Sequence, residues 1–308
     1  MTIERAIVIT RSTRLKDLRA RFNTRSQAKF YIEQAGSDFS DYQNEDDAYF
    51  RAVDDVTEQL AKRLKIQVLD RELVPNFLFA PDTVIVTVGQ DGLVANAAKY
   101  VGGRPIVAVN PDPARFDGIL LAYVTGDFMR GVDAVVEQRA NVRSVTMAEA
   151  TLTDGQRLLA FNDFFIGVNS HVSARYQIRF GEHEEEQSSS GILVSTGAGS
   201  TGWMSSVFNM TRGVATFLGG TPAKHAIRLP WDAPKLLFVV REPYASRASG
   251  ATIVAGEITV HTGLSIESHM PRAGVIFSDG IESDFLQFNS GAIATIGIAS
   301  EKAQLVAS

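Results

Sequence analysis

A β-branched run, residues 83–88 (TVIVTV), breaks off on Gly89-Gln90-Asp91-Gly92, and an alanine-bearing stretch of helical character follows. This junction limits the choice of fold more than any other part of the chain. An apolar strand that delivers one carboxylate into a glycine-flanked turn is how an α/β fold presents a reactive group at the edge of its sheet. The glycines permit unusual backbone angles and leave room for a bulky anion to approach. Asp91 is therefore the first candidate for chemistry. A tight strand-to-helix connection with no chemistry is the plain alternative for the same four residues.

The surroundings of that junction repeat its pattern. Residues 6–10 (AIVIT) read as a short buried strand, followed by Arg11, Arg14, Lys16, Arg19 and Arg21. This basic stretch is either a solvated face or a place where Arg11 or Arg14 meets phosphate. Asn23 or Thr24 caps a helix that runs to about Gln34, where Gly36 ends it. Phe50, Val53, Val56, Leu60 and Leu64 recur at helical spacing, predicting a second helix from Asp46 or Asp47. Strands are expected over 66–69 and 106–109, with helices over 93–100 and 129–139. Strands alternating with helices indicate a mostly parallel sheet with covering helices.

Past the first 121 residues the texture becomes extended, with segments at 142–152, 157–167, 174–180, 236–240, 253–261 and 274–277 and turn signals such as Asp154-Gly155 and Asp279-Gly280. The expected organisation is an α/β domain over 1–122, a β-rich domain over 123–290, and a carboxy-terminal segment, 291–308, that could return to the first domain. Residues 182–190 (EHEEEQSSS) read as a charged surface loop.

Composition excludes several classes. The 308 residues are 45% hydrophobic and 21% charged, ordinary for a globular chain, and the formal net charge of -5 gives no global reason to bind nucleic acid or an anionic membrane. There is no cysteine, which rules out disulfides and thiolate zinc sites. No apolar run reaches the ~18 residues of a membrane span, and the first ten residues lack the apolar core of a signal peptide, so the expected compartment is the cytoplasm. His171, His183, His225, His261 and His269 show no metal-site spacing, and no metal-ligating residue is assigned.

Two further motifs carry possible chemistry. Residues 192–203 (ILVSTGAGSTGW) are a strand followed by Gly197, Gly199, Ser200, Thr201 and Gly202 and then a helix. Such a turn aims backbone N–H groups and hydroxyls into one concavity suited to phosphate or ribose oxygens. It spells G-x-G-x-x-G, yet it lies in the β-rich half and no acidic residue occurs between Trp203 and Trp231, so a dinucleotide-fold reading fails. A P-loop fails as well, because no lysine follows the glycines. Asn162-Asp163 sits at what reads as a strand centre, where two polar groups are costly to bury unless something pairs with them. The pair is either a structural hydrogen-bonding element or a ligand contact.

In order and spacing these motifs resemble the NAD kinase superfamily. Its GGDG turn, G-V-N strand end, N-E pair and S-T-P-T-G-S-T-A-Y run are matched by Gly89–Gly92, by Ala108-Val109-Asn110, by Asn162-Asp163 and by residues 195–203, with IFSDG at 276–280 resembling its late D-G turn. The resemblance implies two domains, α/β and β-rich, with an active site in the cleft between them. It implies ATP-dependent phosphoryl transfer with magnesium to a hydroxyl of NAD or another small metabolite. Asp91 inherits the role of general base or hydroxyl orienter. Gly89, Gln90, Gly92, Asn110, Phe116, Gly199 and Ser200 take the nucleotide and phosphate positions. Asn162, Asp163, Thr201, Gly202, Trp203 and Ser206 take the substrate positions. A homo-oligomer is implied on the same ground; nucleic acid and membrane are not partners.

The chain also departs from the family pattern. Gln90 replaces a glycine, Leu93 a threonine and Ser190 an aspartate, Trp203 stands for tyrosine, and Pro111-Asp112-Pro113 stiffens a segment that is usually glycine-rich. Two alternatives therefore stay beside the NAD kinase reading. One is a divergent kinase acting on a sugar or nucleoside, and the other is a nucleotide-binding regulator without catalysis.

Overall fold

The computed structural model describes residues 2–221 and 227–308 in two compact units, 1–143 with 304–308, and 144–303. His225 lies outside the described residues.

In the first unit the order is β1 (Arg5–Thr10), α1 (Arg14–Phe22), α2 (Arg25–Gln34), α3 (Phe39–Ala61), β2 (Lys65–Asp70), β3 (Thr83–Val88), α4 (Asp91–Ala98), β4 (Pro105–Asn110), β5 (Tyr123–Val124) and α5 (Met129–Val136). The strands are parallel in the order β2-β1-β3-β4. On its outer side β4 pairs with β5 at Val109 and Asn110, and with the returning residues Gln304 and Leu305 at Pro105 and Ile106. Alternate strand residues Ala6, Val8, Val84, Val86, Val88, Val107 and Val109 pack on Tyr49, Ala52, Val56 and Leu60 of α3 and on Val132 and Val135 of α5. Every residue of β3 is buried, as expected of a central strand covered on both faces.

Two expectations shift here. Helix α3 starts at Phe39 rather than near Asp46, because the Asp38 carboxylate accepts from Ser40 N at 2.8 Å and caps it there. Its inward stripe is Glu45, Tyr49, Ala52, Val56 and Leu60, leaving Phe50 exposed.

The second unit is predominantly antiparallel. Its strands are β6 (Val142–Leu152), β7 (Arg157–Ala160), β8 (Asp163–Val168), β9 (Ala174–Phe180), β10 (His183–Ser189), β11 (Ile192–Ser195), β12 (Leu236–Val240), β13 (Ala255–Ile258), β14 (Leu264–Ser268), β15 (Gly274–Ser278), β16 (Ile281–Gln287) and β17 (Ile293–Val306), with α6 (Trp203–Phe217) between β11 and β12. One sheet runs β13-β12-β11-β8-β15-β16, and the other contains β10-β9-β14-β17. Phe164, Ile166, Ile192, Val194, Phe238 and Ile276 of the first face Tyr176, Ile178, Leu264, Ile266 and Ile296 of the second in one core. On the other face of the six-stranded sheet, Leu193 and Leu237 pack on Met204 and Val207 of α6.

The α/β-then-β-rich order is as the sequence suggested. Residues 183–189, however, are a strand and not a loop. Glu184 points outward to Arg179 of β9, while Glu185, on the face of Gln187 and Ser189, accepts from Thr252 and Ile253, and Gln187 and Ser189 turn inward onto the Tyr176 hydroxyl.

Candidate functional site

In the first unit, the candidate residues collect at the carboxyl ends of β3 and β4. Val88 lies opposite Val109, and Gly89 N donates to Val109 O at 3.2 Å, so the two loops leave the sheet side by side. Helix α4 begins at Asp91 with Gln90 as an extended cap whose side chain makes no capping hydrogen bond. Its first N–H groups thus lack a side-chain acceptor, which suits an anion.

The half-buried Asp91 carboxylate accepts from Leu120 N at 2.9 Å through one oxygen and from Ile119 N at 3.1 Å through the other. Two backbone bonds fix its plane, and about two of its four lone-pair positions stay open to a substrate hydroxyl. Asn110 shapes the same loop from within. Its amide donates to Phe116 O at 2.8 Å and its carbonyl accepts from Asp112 N at 3.0 Å. Phe116 is half-buried beside it.

The two turn glycines differ in why they are glycine. A Cβ on Gly89 would come within 2.7 Å of Leu93 Cδ2, so Leu93 fills the space under the turn. A Cβ on Gly92 would meet nothing within 4 Å, and its φ is not positive. Folding does not require glycine at 92.

In the second unit Asn162 and Asp163 do not sit mid-strand. The chain bends at Phe161-Asn162, and β8 starts at Asp163. The cause lies far away in sequence. The Asp279 carboxylate accepts from Phe161 N at 3.0 Å, Asn162 N at 2.6 Å and Asp163 N at 3.3 Å, withdrawing three donors from strand pairing. Asp279 (φ 55°) and Gly280 (φ 71°) both adopt positive φ in the turn from β15 to β16, the conformation an Asp-Gly hairpin supplies. Asp163 is 9% exposed, and burial, followed by the charge of Asp279, pushes its carboxyl up to about 7.

The glycine-rich turn after β11 is pressed onto this bend. Thr196 N donates to Asn162 O at 2.9 Å and its hydroxyl to Phe161 O at 2.6 Å. A Cβ on Gly199 would lie 2.1 Å from Asn162 O, and one on Gly197 would lie 1.9 Å from Pro230 O. Ser200 is buried, its hydroxyl donating to Gly197 O at 2.7 Å and accepting from Leu229 N at 3.3 Å. Gly199 and Ser200 thus build the turn, whereas Thr201, Gly202 and Ser206 lie exposed at the start of α6.

Trp203 stacks on Phe165 with ring centroids 6.0 Å apart and planes 10° from parallel, and the Arg241 guanidinium lies 5.2 Å from its ring. With Phe277, His171 and Glu282 these side chains line a hollow of about 330 Å³. Sequence reasoning missed Asp279 as an anchor and Arg241 as a neighbour of Trp203. The first was visible within the IFSDG motif; the second carried no signal.

No family model matches the sequence. Human NAD kinase 2, mitochondrial, is 22% identical over 369 aligned residues, which cover 96% of this chain and 82% of the human protein. A crystal structure of yeast NADH kinase complexed with NADH matches 100% of this chain and 84% of its own, with a TM-score of 0.58 and 15% identity. An NAD kinase from Archaeoglobus fulgidus, in complex with ATP, matches 98% of this chain and 93% of its own, with a TM-score of 0.55 and 16% identity. The chain has the fold of these kinases.

Proposed function

We propose that this chain, a divergent member of the NAD kinase superfamily, transfers a phosphoryl group from ATP to a hydroxyl of NAD or NADH. The observation that carries the reading is Asp91, a carboxylate clamped by two backbone N–H groups at the uncapped start of a helix, beside a glycine the fold does not need. Phosphoryl transfer demands positioning and charge stabilisation more than covalent chemistry. Asp91 orients the accepting hydroxyl and takes its proton as the new O–P bond forms and the bond from the γ-phosphorus to ADP breaks. The N–H groups at the start of α4, with Gly92 leaving space, hold phosphate oxygens. In the second unit the Asn162-Asp163 bend offers ribose contacts, and the exposed turn of Thr201, Gly202, Trp203 and Ser206 offers a surface for adenosine.

The donor set fits magnesium brought in on the triphosphate. Among the described residues no three acidic or histidine side chains gather as a cage, and magnesium bound to phosphates needs few protein oxygens. When bound, it neutralises phosphate charge. The same resemblance implies self-association, which light scattering measures directly.

The test is purified protein with ATP, magnesium and NAD or NADH, followed by chromatography for NADP or NADPH. Product from wild type and a loss of at least about a hundredfold in Asp91→Asn support the reading. Wild type that binds ATP and NAD yet yields neither product overturns it in favour of a binder.

A further inference from the structure

We propose that Arg11 binds the polyphosphate of the donor nucleotide at the Gly89 turn. The proposal deepens the kinase reading and rests on it. Strands β1 and β3 are parallel neighbours with Ile9 opposite Thr87, so two residues further on Arg11 follows β1 where Gly89 follows β3. A Cβ on Gly89 would lie 3.7 Å from Arg11 Cδ, which places the arginine stem alongside the glycine. The two strand ends are locked together by Tyr49, whose hydroxyl accepts from Arg11 N at 2.7 Å and donates to Val88 O at 3.0 Å. The Tyr49 ring lies 4.8 Å from the guanidinium carbon.

Charge bookkeeping makes this arginine unusual. Its side chain is only 10% exposed, Nη1 donates to Ser12 O at 2.8 Å, and Nε is sealed from solvent with no partner. Its carboxylate contact is Glu45, 5% exposed, at 3.3 Å. Glu45 is held more closely by Arg14, at 2.5 and 2.6 Å, and has Arg115 at 4.0 Å. Glu45 is thus shared by three guanidinium groups, of which Arg14 and Arg115 also pair with Asp41, at 3.2 and 2.8 Å, and Arg14 holds Glu45 more closely than Arg11 does. A buried guanidinium with one N–H hydrogen bond unmade is costly. A phosphate at the Gly89 turn, met by a small shift of the side chain, gives that N–H an acceptor in the charge-assisted geometry guanidinium groups favour. Were Arg11 present only to neutralise Glu45, it would duplicate what Arg14 does at shorter range.

The test compares wild type, Arg11→Gln, Arg11→Lys and Arg14→Gln. Each is assayed with ATP varied at saturating NAD and with NAD varied at saturating ATP, and melted with and without inorganic tripolyphosphate. Arg11→Gln should raise the KM for ATP about ten- to hundredfold, leave the KM for NAD within about twofold, and lose the tripolyphosphate shift that wild type shows. Arg11→Lys should recover part of both, and Arg14→Gln should keep both. Should Arg11→Gln fail to fold, the lysine variant carries the comparison. An unchanged KM for ATP beside a retained tripolyphosphate shift overturns the proposal while leaving the kinase reading intact. No phosphoryl transfer by wild type, with a tripolyphosphate shift that disappears in Arg11→Gln, overturns the kinase reading and supports the phosphate contact.

Discussion

Asp91 and Asp163 are two carboxylates with opposite treatment by the fold. Asp91 is surrounded by donors, so replacing it with asparagine leaves one of two N–H groups facing an amide NH2. Asp91→Asn should therefore cost about 1–2 kcal/mol of stability in addition to its loss of turnover, readable by urea denaturation. Asp163 is buried near a second carboxylate, and its carboxyl is raised to about 7 from 3.8. Between those values the folded chain holds a proton that the unfolded chain has released, so stability from this group is complete below pH 4 and is lost as pH rises through 7. Asp163→Asn should match wild type near pH 4 and exceed it by roughly 2–4 kcal/mol at pH 8. A difference that does not grow with pH would mean the carboxyl is not raised. Neither environment could be read locally, since the partners of Asp91 lie 28 and 29 residues away and those of Asp279 lie 116–118 residues away.

Strands and turns were legible where local chemistry decides them. The run at 83–88, the strands at 106–109 and 142–152, and the Thr24 cap of α2 all stand as the sequence indicated. The misreadings come from pairing and packing that composition does not display. Residues 183–189 look like a loop because their charges are visible and their pairing with β9 is not, and Tyr49 displaces Phe50 from the core because its hydroxyl ties Arg11 to Val88. Burial pushes that phenol up to about 12, so it remains a donor across ordinary pH, and Tyr49→Phe should cost about 1–3 kcal/mol in thermal denaturation. Turn elements separate just as sharply. Gly199→Ala forces a methyl onto Asn162 O and should destabilise the second unit by at least about 2 kcal/mol, seen as an earlier Trp203 fluorescence transition. Gly92→Ala should leave the melting temperature equal or slightly raised while weakening ATP at least about tenfold, since its space is open and its backbone helical. A stable variant with unchanged ATP affinity would remove Gly92 from the phosphate contacts.

At the scale of the molecule, a formal net charge of -5 repels anionic nucleotides at long range, so capture depends on local donors. ATP at a hundred times its Kd should add about 2.7 kcal/mol to stability, a melting shift of several degrees. The sheet that carries Asp91 is assembled from two widely separated stretches. Gln304 and Leu305 pair with Pro105 and Ile106, and the Tyr123 hydroxyl donates to Ala307 O at 2.7 Å. A ribosome must therefore release more than three hundred residues before β4 gains that neighbour. The outer edge of β4 is therefore covered late in synthesis, and a truncated nascent chain carries the Gly89–Gly92 turn on an incompletely supported frame.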